Sequence, residues 1–246
     1  MVVAQAHSVD TRLPLYQQLR EGFVAAIAGG QWMPGDAIPA EDELAARHGV
    51  AVGTVRKAIE GLVGEGLLER RQGRGTFVRR ADFGNALARF FRMTDGTGQP
   101  IRPRARILAR AVEPADAETA RHLGLGEGDP VIALRRLRLV DDMPILAEEI
   151  RLDLAAFGPI ATLAPDAFGD LLYPLYEQTC GLVVASARET IRFQPLPAVM
   201  AEALGRLAGE GAAVIERVAC GFDGHPLEFR RSFGPADRFS YSIDIR

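Results

Sequence analysis

Lysine is nearly missing from this chain: of 246 residues, 29 are lysine or arginine, and Lys57 is the only lysine. Positive charge is therefore carried by a planar guanidinium that meets carboxylate or phosphate oxygens in pairs, not by a compact, strongly hydrated ammonium. Cysteine is scarce too. Cys180 and Cys220 have neither metal-ligand spacing nor a catalytic context and read as small packing residues. The four histidines (His7, His48, His122, His225) fall at a terminus, a helix end, a helix and a turn. With no Ser/His/Asp set, metal cluster or phosphate-binding glycine loop, the sequence points away from catalysis, a metal site or a cofactor. No apolar run approaches the roughly 18 residues that span a bilayer. The N-terminus has no charged lead ahead of an apolar block, so the chain reads as cytoplasmic, without a membrane partner. An excess of one charge is also missing: the net charge is −3, so global charge does not mark a nucleic-acid binder.

The local distribution of charge does. Arg70, Arg71, Arg74, Arg79 and Arg80 fall within residues 70–80, with no acidic residue among them. The length allows one large domain or two modest ones, and 48% hydrophobic with 25% charged residues is ordinary globular composition. Apolar positions Tyr16, Leu19, Phe23 and Ile27 predict a helix over about 14–28, stopped by Gly29-Gly30. Pro34-Gly35-Asp36 reads as a turn, with Ile38 packing back onto the core. Glu41, Asp42 and Glu43 suit the first turn of a second helix, where negative charge favours the helix dipole, and Gly49 ends it. A third helix begins near Val52, with Val55, Ile59, Leu62 and Val63 facing inward. Its exposed N-terminal end then carries Gly53, Thr54, Arg56 and Lys57, where a recognition helix reaches bases and phosphates. The pattern next turns to strand, turn, strand over 67–71 and 76–79. Around the tip lie Arg71, Gln72, Gly73, Arg74, Gly75 and Thr76, a basic hairpin small enough to approach a narrow groove. A solvated basic hairpin beside a three-helix core is the bland alternative.

This stretch, PLYQQL…PGDAIPAEDELAARHGVAVGTVRKAIEGL…EGLLERRQGRGTFV, resembles the winged helix-turn-helix domain of the GntR family of bacterial transcription regulators. The resemblance implies a DNA-binding domain over 11–79 whose third helix and wing contact double-stranded operator DNA. Ala51 and Val52 stand where the family usually has Ser-Arg, and Asp42 where it commonly has arginine; each change removes a donor.

Residues 80–100 read as a connector, apolar at Phe83, Leu87, Phe90 and Phe91. Beyond it, strands are expected near 101–112, 131–140, 144–152, 182–194, 212–222, 226–233 and 240–246, and helices near 114–123, 168–179 and 197–208. Asp141-Asp142-Met143-Pro144 and Asp223-Gly224-His225-Pro226 each sit between two strand patterns, each pair preceded by a helix. Two such units in one antiparallel sheet, with helices on one face, would make an α+β domain. One strand breaks the apolar pattern: in VIALRRLRLV, Arg136 and Arg138 share a face with Ile132, Leu134 and Val140. With a three-residue turn, Arg136 lies opposite Glu148 and Arg138 opposite Leu146. Glu148 can neutralise one arginine, which leaves a cation suited to a carboxylate or phosphate ligand. A solvated outer face with a cross-strand ion pair fits the same pattern.

Residues 101–246 in turn resemble the UTRA effector domain of the HutC branch of the GntR family, through LGLGEGDPV, RRLRL, PILAEE, DLLYPLYEQTCGL, ETI and VIERVACGFDGHPLEFRRSF…DRFSY. The resemblance implies that Arg136, Arg138, Glu148 and Glu228 line a small-molecule pocket and that this domain makes a homodimer contact. Leu171 replaces a serine that touches phosphate in amino-sugar-phosphate sensors, and Gly234 replaces a late tyrosine of the pocket; both point away from a sugar-phosphate effector. The function implied is a ligand-responsive regulator, a repressor released from its operator by a small anionic metabolite. The alternative is a small-molecule enzyme domain, since the UTRA fold is similar to chorismate lyase.

Overall fold

A computed structural model describes residues 13–79 and 103–239. The expected connector over 80–100, the last strand over 240–246 and Arg80 lie outside the described residues. The chain divides into two compact units, Met1–Ala81 and Asp82–Arg246.

The first unit holds three helices, α1 (Leu15–Ala28), α2 (Glu41–His48) and α3 (Val52–Gly64), then a hairpin of β1 (Leu68–Arg71) and β2 (Gly75–Val78). Leu19, Phe23 and Ile27 of α1, Leu44 of α2 and Val55, Ile59 and Leu62 of α3 are all buried, as the helical spacing of those residues dictates. The segment after α1 does more than turn. Gly35 and Ile38 donate backbone hydrogen bonds to Val78 and Thr76, and Val78 donates to Asp36, so this segment runs beside β2 and ties the wing to the helices. Helix α3 starts without a side-chain cap: Ala51 occupies the N-cap in an extended conformation, φ −67° and ψ 144°. Serine fits that geometry and would accept from the first free N–H groups. Ala51→Ser is therefore expected to stabilise this unit by about 1 kcal/mol, read as a higher thermal midpoint; an unchanged midpoint would show those groups are already satisfied.

The second unit is a six-stranded antiparallel sheet of β3 (Arg104–Pro114), β4 (Pro130–Val140), β5 (Met143–Asp153), β6 (Ser186–Pro195), β7 (Gly211–Cys220) and β8 (Pro226–Pro235), in the order β3-β4-β5-β8-β7-β6. Helices α4 (Ala117–Leu123), α5 (Leu154–Phe157), α6 (Leu172–Cys180) and α7 (Ala198–Leu204) complete it. The two similar hairpins of the sequence belong to a larger duplication: β3-α4-β4-β5 and β6-α7-β7-β8 have the same element order and join where β5 pairs with β8.

Three expectations need correction. Helices cover both faces of the sheet, not one. Ile132, Leu134, Ile150 and Leu152 pack with Phe157 and Tyr176 from α5 and α6, whereas Leu137, Leu139 and Phe233 pack with Met200 and Leu204 of α7. Strand β4 is apolar at both parities, and each face needs a cover. The β4–β5 turn has two residues, not three: Asp141 and Asp142 both take positive φ, 49° and 61°, a pairing suited to right-twisted hairpins. A bulge after Leu139↔Pro144 leaves Ile145 unpaired and restores the expected register, Arg136↔Glu148 and Arg138↔Leu146. The helix expected over 168–179 starts only at Leu172, after a 3-10 turn over Pro165–Phe168. Gly169 adopts φ 58°, ψ −168°, a combination almost closed to residues with a Cβ. No helix among the described residues is long and apolar enough to cross a membrane.

Candidate nucleic-acid interface and effector site

In the first unit, Gly53, Arg56 and Lys57 are exposed near the start of α3 and Thr54 is half-buried. The wing tip is a three-residue connection over 72–74, since Arg71 pairs with Gly75; Gly73 and Gly75 hold φ of 69° and 110°, which leaves Gln72 and Arg74 exposed at the apex. Thr76 is half-buried on β2. Not all of these cations are free. Arg56 Nε donates to Glu41 Oε2 at 2.8 Å, and Arg70 Nη2 donates to Glu41 Oε1 at 3.0 Å, so one carboxylate of α2 bridges the third helix and the wing. Arg71 pairs with Glu69 and lies over the Phe77 ring. The Lys57 ammonium sits 4.0 Å above the Tyr16 ring. Among the described residues nothing bonds the Arg74 guanidinium. Arg74→Ala is therefore expected to weaken operator and unrelated DNA alike, and to lower the salt slope by roughly one unit. A loss confined to one base position would instead assign the wing to sequence readout.

The second unit gathers its buried charge on one face of the sheet. Register sets Arg136, Glu148 and Ser232 in one cross-strand row and Arg230, Arg217 and Glu189 in the next, on the face that α5 and α6 cover. Arg136 and Arg138 are only 2% and 3% exposed, and Glu148 and Glu228 are fully buried. Arg136 Nε donates to Glu148 Oε2 at 2.6 Å, while Ser232 donates to Glu148 Oε1 at 3.2 Å. Arg230 reaches both carboxylates, Glu228 at 2.6 Å and Glu148 at 3.5 Å. Glu228 also accepts from Tyr176 at 2.7 Å and Tyr173 at 3.1 Å. Arg217 in turn donates to the Tyr173 hydroxyl at 3.2 Å and pairs with Glu189.

These contacts set protonation. Burial alone would push the Glu148 carboxyl up, but Arg136, Arg230 and Arg138 together pull it down to about 2. Burial, then the Glu228 carboxylate, push the Tyr173 phenol up to about 12. Burial and the adjacent Arg136 lower the Arg138 guanidinium to about 10, against the pull of Glu148, which leaves it charged at neutral pH. Among the described residues Arg138 makes no salt bridge to a carboxylate; it donates to the backbone carbonyl of Asp170, just before α6. The Asp170 carboxylate accepts from the Ala105 N–H of β3 at 2.6 Å. Three buried nitrogens lack any partner among the described residues: Arg136 Nη1, Arg138 Nε and Arg230 Nε. The expectation of a cation left over on β4 thus meets a cluster whose unmet hydrogen-bonding capacity is entirely donor.

Residues 15–78 match bacterial regulatory proteins of the gntR family, and residues 98–240 match the UTRA domain. The chain belongs to the GntR family. Its similarity to curated members is long. The regulator SmoD of Agrobacterium fabrum is 32% identical over 220 residues, covering 88% of this chain and 89% of that protein. The repressor NagR of Bacillus subtilis is 27% identical over 93% of each. Among solved structures, the ligand-binding domain of a GntR-family regulator from Bordetella bronchiseptica gives a TM-score of 0.58 at 26% identity, covering 68% of this chain and 99% of that one. PhnF from Mycobacterium smegmatis gives 0.54 at 25% identity over 95% and 99%.

This GntR-family protein is a DNA-binding transcription regulator whose UTRA domain binds a small-molecule effector, and the chorismate-lyase-like enzyme alternative falls with that assignment. Arg136, Arg138, Glu148 and Glu228 do come together, but Arg217, Arg230, Ser232, Glu189, Tyr173 and Tyr176 complete the cluster. Arg230 and Ser232 had a signal: in LEFRRSF they share strand parity with Glu228. Arg217 and Tyr173 had none, since only tertiary contacts join them.

Proposed function

We propose that this regulator is a cytoplasmic homodimeric repressor, released from its operator by a small effector bearing a carboxylate or phosphate. In this reading residues 11–79 bind DNA, residues 80–100 connect, and residues 101–246 bind effector and dimerise. Gly53, Thr54, Arg56 and Lys57 of α3, with 71–76 of the wing, meet the duplex. Arg136, Arg138, Glu148 and Glu228 meet the effector. The repressor sign draws on relatives named as repressors, NagR and the mannosyl-D-glycerate system repressor MngR of Escherichia coli. The anionic effector rests on one observation: three buried guanidinium nitrogens without a partner among the described residues, which an oxyanion would satisfy with charge-assisted hydrogen bonds. Two-fold DNA half-sites match a two-fold protein, so a dimer doubles the contact surface. Release follows only if effector favours one pose of the DNA-binding domains over another.

Arg56→Ala tests the DNA side. An operator selected from random-sequence DNA should bind the variant about 1–3 kcal/mol more weakly. In the free protein Arg56 loses only an exposed pair with Glu41, so folding should be little changed. Wild-type affinity in moderate salt would remove Arg56 from the interface.

A further inference from the structure

One carboxylate stands between the two parts of the first unit that carry its exposed cations. Glu41, in the first turn of α2, accepts from Arg56 of α3 on Oε2 at 2.8 Å and from Arg70 of the wing on Oε1 at 3.0 Å. Both arginines are about half exposed, at 56% and 45%. Pairs so exposed add little to folding, so stability alone does not account for an acid shared between helix and wing.

What the pair does fix is direction. Arg56 spends Nε on Glu41, and among the described residues neither Nη1 nor Nη2 has a hydrogen bond. Held from behind in this way, the guanidinium presents its end-on pair of N–H donors, the fork that meets O6 and N7 of guanine. An arginine left loose on a helix flank meets any phosphate instead. Val52, exposed at the start of α3, offers no further donor, which puts more of the base readout on Arg56.

From this geometry we infer that Glu41 sets the sequence specificity of the DNA-binding unit without touching DNA. It is a positioning residue: it aims Arg56 at a guanine edge and holds Arg56 and Arg70 back from indiscriminate phosphate contact. The inference rests on the DNA-side reading of Arg56 above and deepens it. It also carries a sign that a structural role lacks. Removing the charge should lower the ratio of operator affinity to unrelated-DNA affinity while unrelated DNA binds more tightly, because one acid fewer faces the phosphates and two cations are released.

Glu41→Gln keeps the shape and removes the charge. An operator selected from random-sequence DNA and an unrelated duplex are titrated across salt against the full chain by fluorescence anisotropy. The proteins compared are wild type, Glu41→Gln, Arg56→Ala and the double variant. Glu41→Gln should lower the affinity ratio about tenfold, within what one bidentate contact discriminates. It should bind the unrelated duplex more tightly, with a salt slope steeper by roughly one unit, and relax the operator at the same base position as Arg56→Ala. Adding Glu41→Gln to Arg56→Ala should lower the ratio no further.

A wild-type ratio in Glu41→Gln beside a reduced one in Arg56→Ala would overturn the inference and leave Arg56 as a reader. Equal weakening on both duplexes would make Glu41 merely structural. A further fall in the double variant would give Glu41 a base contact of its own, accepting from a cytosine amine; either result overturns the inference. Wild-type affinity and ratio in Arg56→Ala would remove the DNA-side reading itself. Glu41→Ala, which should give the same ratio, stands in if Glu41→Gln does not fold.

Discussion

Alanine at Arg138 should leave a folded regulator that binds operator normally and no longer releases it in response to effector. In the free protein this guanidinium is buried without a salt bridge among the described residues, held by the Asp170 carbonyl and with Nε unmet there. Truncation deletes a ligand contact and also relieves a desolvation cost, so stability should change little for so large a buried side chain. With that contact gone, effector has no differential affinity with which to shift the DNA-binding domains. Calorimetry with the inducing metabolite, together with gel-shift release, checks this. Retained affinity and retained release would mean that the Arg138 face of β4 is a structural ion-pair surface.

Alanine at Glu148 should have the opposite profile. Its carboxylate is the shared partner of Arg136 and Arg230 and the acceptor for Ser232. Removing it strands the buried Arg136 and leaves Arg230 with Glu228 alone, and breaking such a pair typically costs about 3–5 kcal/mol; urea unfolding measures it directly. The same carboxyl sets an acid limit. Its pKa in the folded protein, about 2, lies below the ordinary carboxylate value. The stability it supplies is therefore complete above the unfolded pKa, roughly 4.3. It is lost as pH falls from there through about 2. Glu148→Gln should lack that component of the acid dependence. A variant as stable as the wild type at pH 7 would show that Arg136 is neutralised elsewhere.

How much of this was legible in the chain depends on the range of each signal. Helical spacing from Tyr16 to Ile27 and the glycines of the wing are local, and α1 and the β1–β2 hairpin follow them closely. The pairing Arg136↔Glu148 was also legible, though by a different route: a shorter turn and a bulge at Ile145 keep the parity that a three-residue turn would give. Leu137 and Leu139 already signalled a second buried face in VIALRRLRLV, but the arginines drew attention to the other one. The end of α7 was marked by Gly205, whose φ of 64° closes the helix before residue 208. The far half of the cluster was hidden because it depends on β5 meeting β8, and no local pattern encodes a pairing between strands so far apart.

That join has a consequence for alignment. Within each half of the duplication, pairing closes over short distances: Arg136 and Glu148 are 12 residues apart, across a two-residue turn. Glu148 and Ser232 are 84 apart, and the entropy of closing so long a loop offers no help in choosing which residue faces which. The charges do choose. A slip of one residue between β5 and β8 would turn Glu228 and Arg230, or Glu148, onto the opposite face, among Leu196, Met200 and Phe233. Each would then be buried in an apolar layer without its counter-ion, a heavier cost than any mismatch of methyl groups. The ionic cluster thus serves as a key for the seam, admitting one alignment of two similar halves that hydrophobic packing alone would distinguish poorly.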